Sequence, residues 1–505
     1  MNGKILWLLL IVFILSCHRK GRDGLDLSQA TILISPSIEE TFQKTAETVL
    51  SEEIGNRTGL KLCKTVTWHT DTVIAVVLSG ENELYGSSVP ERNETHPEHK
   101  KEGYRLVHEN KNGKNVLWVI GADKRGILYG IGKLLRITDM RQGQLSISED
   151  TDTSESPEYV LRGHQFGYRN TANSWDAWTV DQFDQHFREQ VLFGANSFEN
   201  IPFQDPESSV HFKIDPQEME VELSKICAKY NADYWAWTPA PEDLTVKGAH
   251  QKGLAEQEAF YARCPRLNGI FVPGGDPGDN HPSELIPYLE DLSILLKKYH
   301  PDAGIWISLQ GFNKEKTDYF FNYLEDNNPE WLKGLVNGPS SPPLSLERER
   351  LPEQYRYRFY PDITHTVRCH YPVENWDQAF ALTLGREPCN PQPLRYTELF
   401  RRDAPITDGF ITYSDGSHDD VNKVLWSQLG WNPKKNPRDI VTEYCRFFFD
   451  PEVADASAEG IFDLEQNWVG PVLGNQTIEE TLTLWKKLEA ENLRLQDNWL
   501  SLIHI

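Results

Sequence analysis

Cysteine is scarce and scattered in this sequence. Its 505 residues hold seven cysteines. No two form a C-x-x-C pair, which excludes a disulfide-stapled scaffold and a zinc ribbon. Cys63, Cys227, Cys264, Cys369, Cys389 and Cys445 lie far apart. Cys369 and Cys389 could pair in an oxidising compartment, and buried free thiols fit them equally well. Positive charge is also short: 51 Lys and Arg against 75 Asp and Glu leave a net charge of −24. That balance disfavours nucleic acid, whose binding needs basic patches. No G-x-G-x-x-G fingerprint for a dinucleotide is present, and no metal or cofactor is expected. After the first residues, no apolar run is long enough to span a bilayer.

What is present begins at the N-terminus. Lys4 precedes an unbroken apolar run from Ile5 to Leu15, followed by Ser16 and Cys17. The run is too short for a membrane span and fits the apolar region of a signal peptide. Ile14-Leu15-Ser16-Cys17 resembles a bacterial lipoprotein signal, which implies lipidation of Cys17. The chain is therefore expected to be exported and lipid-anchored, on the periplasmic or cell-surface side of a bacterial membrane. A plain signal peptide with an incidental Cys17 is the alternative.

Length allows roughly three domains, and 39% apolar residues supply enough core for them. Residues 1–17 read as the signal and 18–30 as a polar tether. Residues 31–150 read as a small α/β domain in the order β-α-β-β-β-α. Its signals are a strand at Thr31–Ile34, a helix opened by Ser37 and Glu40 at capping-box spacing and ended by Gly55, and a strand at Thr72–Leu78. A hairpin turns at Asn112-Gly113, and an amphipathic helix runs from Asp123 to Ile137. Ser- and Thr-rich residues 150–156 read as a linker.

From Tyr159 short apolar runs alternate with helical periodicity. Eight runs are visible: Val160–Tyr168, Ala195–Phe203, Ala232–Pro239, Gly269–Asp276, Gly304–Phe312, Gly334–Pro339, Ile363–Tyr371 and Gly409–Ser414. Alternation of this kind implies a parallel sheet, and eight units over residues 157–435 match a closed (β/α)8 TIM barrel. The fold class is thus α/β, and residues 436–505 read as a helical C-terminal region. An open doubly wound sheet is the alternative.

Functional residues of such barrels stand at the C-terminal ends of the strands. Reading those ends gives carboxylates, aromatic residues and cations. Asp276, Asp279, Glu199 and Asp415 are the candidate catalytic carboxylates. Arg162, His164, Arg169, Trp237, His281, Gln310, Arg368, His370, Tyr371 and Tyr413 are candidate substrate contacts. Glycosidic bonds are broken by a carboxylic acid paired with a second carboxylate. Trp and Tyr faces stack on sugar rings. Each candidate also has a plainer reading. Asp276 and Asp279 could cap turns. Asp415-Gly416 could itself be a turn, and Asp419 or Asp420 a helix cap. Glu199 could pair with Arg162 or Arg169. The Arg and His residues would suit an anionic sugar such as a uronic acid, or could neutralise the site's own carboxylates.

The segment Gly121-Ala122-Asp123, Arg125-Gly126-Ile127-Leu128-Tyr129-Gly130 and Leu134-Leu135-Arg136, with the barrel entry Pro157-x-Tyr159-x-x-Arg162-Gly163, resembles two glycosidase families. These are the family 20 β-N-acetylhexosaminidases and the family 67 α-glucuronidases, in which a small α/β domain precedes the barrel. The resemblance covers roughly residues 30–170. It implies a glycoside hydrolase acting on a glycan that carries a uronic acid or an N-acetylhexosamine. Family 20 enzymes carry Gly-Gly-Asp-Glu after strand four, where the Asp orients the sugar's acetamido group and the Glu is the acid. Gly274-Gly275-Asp276 matches, but Pro277 replaces the Glu. On this reading Asp276 or Asp279 is one member of a carboxylate pair, and Glu199 or Asp415 the other. A hexosaminidase-like enzyme with a displaced acid is the alternative. So is a catalytically inactive glycan-binding barrel at the cell surface, for which Pro277 argues.

Overall fold

The computed structural model describes residues 24–90, 93–111, 113–166, 177–200, 213–364, 391–414, 419–467, 469–502 and 504. Cys17, Arg169, Arg368, His370, Tyr371 and Asp415 lie outside the described residues, as do Cys369 and Cys389.

The N-terminal part is built on a six-stranded sheet. Its strand order is Asp152–Glu155, Tyr104–Lys111, Lys114–Gly121, Thr72–Leu78, Thr31–Ile34, Lys64–Thr65. The central strand Thr72–Leu78 is apolar at nearly every position because both faces of the sheet are covered. Ile74 and Val76 pack into the main core beneath the helices Glu40–Thr58 and Lys124–Ile137. Val73, Ala75 and Val77 pack on the other face with Leu33 and Trp118.

Three details differ from the expected boundaries. Residues 152–155, in the expected linker, pair with Tyr104–Val107 as an edge strand. Leu25–Asp26, in the expected tether, pair with Ser146 and Ile147. The first helix is capped by neither Ser37 nor Gly55. It starts at Glu40 after Glu39 and ends at Thr58, where Gly59 takes a left-handed φ of 73°.

The second helix shows what the glycine-rich segment does. Asp123 caps it by accepting from the Gly126 N–H. Gly132 lies so close to the barrel that a Cβ there would stand 2.2 Å from the Leu192 carbonyl oxygen. On the same helix Arg125 donates to the Asn231 carbonyl at 2.6 Å, to Asp233 at 2.5 Å and to Glu102 at 2.7 Å. The helix is therefore welded to the barrel by a close backbone approach and a buried guanidinium.

The barrel is closed and parallel. Its eight strands are Leu161–Phe166, Ser197–Asn200, Asp233–Trp237, Gly269–Pro273, Gly304–Ser308, Leu332–Asn337, Arg356–Phe359 and Gly409–Ser414. The first pairs with the eighth from Leu161↔Gly409 to Phe166↔Ser414. The seventh strand lies before the expected run Ile363–Tyr371, of which residues 365–371 lie outside the described residues. Two arginines in Arg356-Tyr357-Arg358-Phe359 hide its apolar pattern, while Asp362–Thr364 forms a short strand against the eighth only. The barrel interior is filled by Leu161, Trp235, Phe271, Trp306, Val336, Tyr360, Ile411 and Tyr413, with Trp237 half-buried against them.

The C-terminal region is helical. Helices Pro437–Phe448, Ala454–Asn467 and Gln476–Glu491 pack in sequence, and short turns of helix at Leu493–Gln496 and Trp499–Leu502 follow a break at Asn492. Among the described residues no helix is long and apolar enough to cross a membrane.

Candidate active site at the barrel mouth

Side-chain direction alternates along a strand, and this decides which candidates can reach the mouth. In the first strand Leu161 packs inside the barrel. Gln165 shares its parity and also points inward. Arg162 and His164 have the opposite parity and point outward. Arg162 is fully buried at the strand's N-terminal end, where it donates to Glu102 at 2.6 Å and to the Gly194 carbonyl at 2.8 Å. Burial pushes the Glu102 carboxyl up, but Arg162 and Arg125 beside it hold it down at about 2. Arg162 is thus a joint between the two domains and not a mouth residue. His164 lies between the barrel and the helix Asp420–Trp431. Its ring nitrogens meet Thr412 Oγ1 and Ser427 Oγ, both at 2.8 Å. Burial, with a smaller contribution from Lys423, holds its pKa well below the usual value, so the ring is neutral.

Glu199 points into the barrel from the second strand and is fully buried. Arg162 is not its partner, and Arg169 lies outside the described residues. Arg358, from the seventh strand, donates to both of its oxygens, at 2.7 and 2.9 Å. Gln165 Nε2 donates to Glu199 Oε1 as well, and the Tyr360 hydroxyl donates to Gln165 Oε1 at 2.5 Å. The Arg358 guanidinium lies 5.0 Å from the Phe271 ring centre and 5.2 Å from that of Trp235. This arrangement is a bidentate buried ion pair ringed by aromatic faces, in which the Arg358 Nε alone takes part in no hydrogen bond. Both Glu199 oxygens are engaged, so the group forms the floor of the mouth and does not present a free carboxyl to a substrate. Sequence reading missed Arg358, Gln165 and Tyr360. The two-residue alternation with Leu161 was the available signal for Gln165, and Arg358 was hidden with its strand.

Trp237, Gln310 and Tyr413 lie at or near the C-terminal ends of their strands. Trp237 is half-buried at the end of the third strand. Gln310 follows the fifth strand and accepts from Ser308 Oγ at 2.9 Å. Tyr413, buried in the eighth strand, packs edge-on against Tyr360, with ring centres 5.9 Å apart.

The loop after the fourth strand is held tightly. The Gly274 N–H donates to the Ser308 carbonyl at 3.0 Å. Gly278 has φ +107° and presses on the Ala240 carbonyl, so a side chain there would be strained and crowded. Buried Asn280 donates to the carbonyls of Ala240 and Glu242, both at 2.9 Å. From this anchored loop the Asp276 side chain is exposed to solvent. Asp279 is 95% exposed and pairs with Lys316 at 2.6 Å, which makes it a surface ion pair. His281 caps the helix Pro282–Tyr299, and its Nε2 meets Glu315 at 3.0 Å. Both ring nitrogens are therefore occupied at the outer rim. Asp419 stands at the start of the helix Asp420–Trp431 without capping it, and pairs with buried Lys423. Among the described residues no group of three or more His, Cys, Asp or Glu side chains is disposed to hold a metal ion.

No protein-family model matches this sequence, and no curated protein matches it. Solved structures do share its fold. A Streptomyces plicatus β-hexosaminidase, solved as a mutant with its product GlcNAc, superposes with a TM-score of 0.55 at 10% identity, covering 87% of this chain and 93% of its own. The GH20 β-N-acetylhexosaminidase of Streptomyces coelicolor gives 0.55 at 9%, covering 86% and 93%. A family 89 glycoside hydrolase of Clostridium perfringens gives 0.56 at 12% identity over 94% of this chain, which spans 63% of that protein. The likeness thus runs through both the N-terminal sheet and the barrel. At these identities it is a likeness of fold.

Proposed function

We propose that this chain is a glycoside hydrolase acting on an N-acetylhexosamine-containing glycan at the C-terminal mouth of its barrel. The observation that carries the reading is the strand-four loop. It presents Asp276 to solvent from a backbone anchored on the end of the fifth strand and on the loop after the third. Preorganisation of this kind is what a catalytic carboxylate requires. The similar fold of hexosaminidases that bind GlcNAc adds support. Asp276 would accept the acetamido N–H of the sugar and turn the acetamido oxygen toward the anomeric carbon. Trp237, at the end of the third strand, would stack on the pyranose ring. The proton for the leaving oxygen comes from a group other than residue 277, which is Pro. Asp415 remains the sequence-based candidate for that role.

The uronic-acid reading loses support. It relied on a cation cluster at the mouth, of which Arg162 and His164 face away from it, while Arg169, Arg368 and His370 lie outside the described residues. An inactive glycan-binding barrel is the second reading, favoured by Pro277 alone. Hydrolysis of aryl α- and β-N-acetylglucosaminides, with aryl glucuronides in parallel, separates the three. Turnover of the acetamido substrates that Asp276→Asn abolishes while sugar binding persists supports the first. Turnover of glucuronides alone supports the uronide reading, and binding without turnover supports the inactive barrel.

The N-terminal sequence supports a lipid anchor at Cys17, on the periplasmic or cell-surface side of a bacterial membrane. Palmitate incorporation that Cys17→Ser removes is the expected result. Incorporation unchanged in that variant refutes the anchor.

A further inference from the structure

Outside the barrel, a cavity of about 350 Å³ lies between the helix Val180–Leu192, the start of the helix Asp420–Trp431 and the C-terminal turn Trp499–Leu502. Trp178 and Trp499 supply aromatic walls, and Glu189 and Asp420 supply carboxyls. Asp420 is 3% exposed, yet its Oδ1 takes part in no hydrogen bond. The nearest cationic nitrogens to that oxygen are Lys423 Nζ and His186 Nδ1, each at 3.9 Å. Lys423 is committed to Asp419, and burial, then Lys423 and His164, keep His186 neutral. Glu189 accepts from Gln185 Nε2 at 2.8 Å. Its acidic neighbour Glu53 already pairs with Arg57 at 2.6 Å and Arg188 at 3.1 Å. A buried carboxyl, Asp420, and a half-buried one, Glu189, therefore face one aromatic-walled cavity without a hydrogen-bonded cation of their own among the described residues.

We propose that this cavity binds an organic ammonium group, with Asp420 and Glu189 accepting its N–H donors and Trp178 and Trp499 flanking its carbon skeleton. An isolated buried carboxylate is costly, and an ammonium supplies both the missing charge and the missing donor. Tryptophan faces attract such cations. Proton occupancy gives the site a pH signature. Burial pushes Asp420 up to about 7, with Lys423 opposing and Asp419 reinforcing the shift. Burial and Glu53 push Glu189 up to about 8, against Gln185 and Arg57. Both carboxyls are thus mostly protonated at pH 6 and ionise as the pH rises through 7 and 8. An ammonium binds the ionised form, so its affinity rises over that interval and binding at pH 7 releases protons.

The test uses the full chain, cyclohexylammonium as the cation and cyclohexanol as its neutral counterpart, followed by calorimetry. The ammonium keeps its proton throughout the range, as lysine does. Cyclohexylammonium should bind at least about tenfold more tightly than cyclohexanol at pH 8.5, and the preference should shrink below about threefold at pH 6. Glu189→Gln and Trp499→Ala should each weaken the cation at least about fivefold. Trp499 is half-exposed, so its replacement should leave the melting temperature in place. Failure of the cation to bind, equal binding of the alcohol, or cation affinity unchanged in Glu189→Gln overturns the proposal.

Discussion

Replacing Arg358 by methionine would leave Glu199 in the barrel with no counter-charge. The two side chains are each 0% exposed and joined by two hydrogen bonds. Removing one member of such a pair costs about 3–5 kcal/mol, because the surviving charge stays desolvated. For a unit of barrel size that corresponds to a melting temperature lower by roughly 6–20 °C. Replacing both residues, as in Glu199→Leu with Arg358→Met, removes the orphaned charge and should cost less than either single change. The penalty of Arg358→Met should also depend on pH. A desolvated carboxyl left without a counter-charge is discharged by protonation, so the penalty should ease in acid and grow as pH rises. Glu199→Leu leaves a guanidinium that cannot discharge, so its penalty should not ease in acid. Scanning calorimetry of the four proteins between pH 5 and 8 reads all of this. An Arg358→Met penalty below about 1 kcal/mol at pH 7 would refute the reasoning, as would a double variant no better than the worse single one.

Three further outcomes follow from other parts of the molecule. Glu347 is buried, accepts from Asn337 at 2.8 Å and from the Tyr357 hydroxyl at 2.9 Å, and is pushed up to about 8 by burial. Its stabilising contribution is present below the unfolded pKa and lost as pH rises to 8, so Glu347→Gln should be more stable than the parent at pH 8.5 and lose that advantage by pH 5 in denaturant titrations. Asp279→Ala removes only a surface pair with Lys316 and should change stability by less than about 1 kcal/mol and leave turnover unaltered. Arg162→Met removes one of the two guanidiniums paired with buried Glu102 at the domain joint, leaving Arg125, and should lower stability by about 1.5–3 kcal/mol, read as a lower melting temperature.

The barrel was legible because seven of its eight strands are short apolar runs bounded by turns, each within a few residues of its observed place. The seventh escaped because its inward Arg358 is a core residue in charged form, supported by Glu199 from the second strand, and no local pattern reveals a partner 159 residues away. The same long-range pairing explains the mixed outcome at the site. Strand ends are legible in the sequence, but which parity faces inward is fixed only once Leu161 is seen inside the barrel, and that parity turns Arg162 and His164 outward. Asp279 and Asp276 sit three residues apart in one loop. Only the tertiary contacts of Lys316 separate a surface pair from a carboxylate left open to solvent. The glycine-rich segment Gly121–Gly132 was legible as a resemblance. Its physical work, docking a helix within van der Waals distance of Leu192, required the assembled barrel.

A role for Asp276 on an acetamido sugar is read from steady-state turnover of aryl N-acetylglucosaminides by the parent chain and by Asp276→Asn, with GlcNAc binding followed in both. Turnover is expected in the parent, with a loss of at least about a hundredfold in the variant and GlcNAc affinity retained within about tenfold. Parent-level turnover in Asp276→Asn would contradict that role.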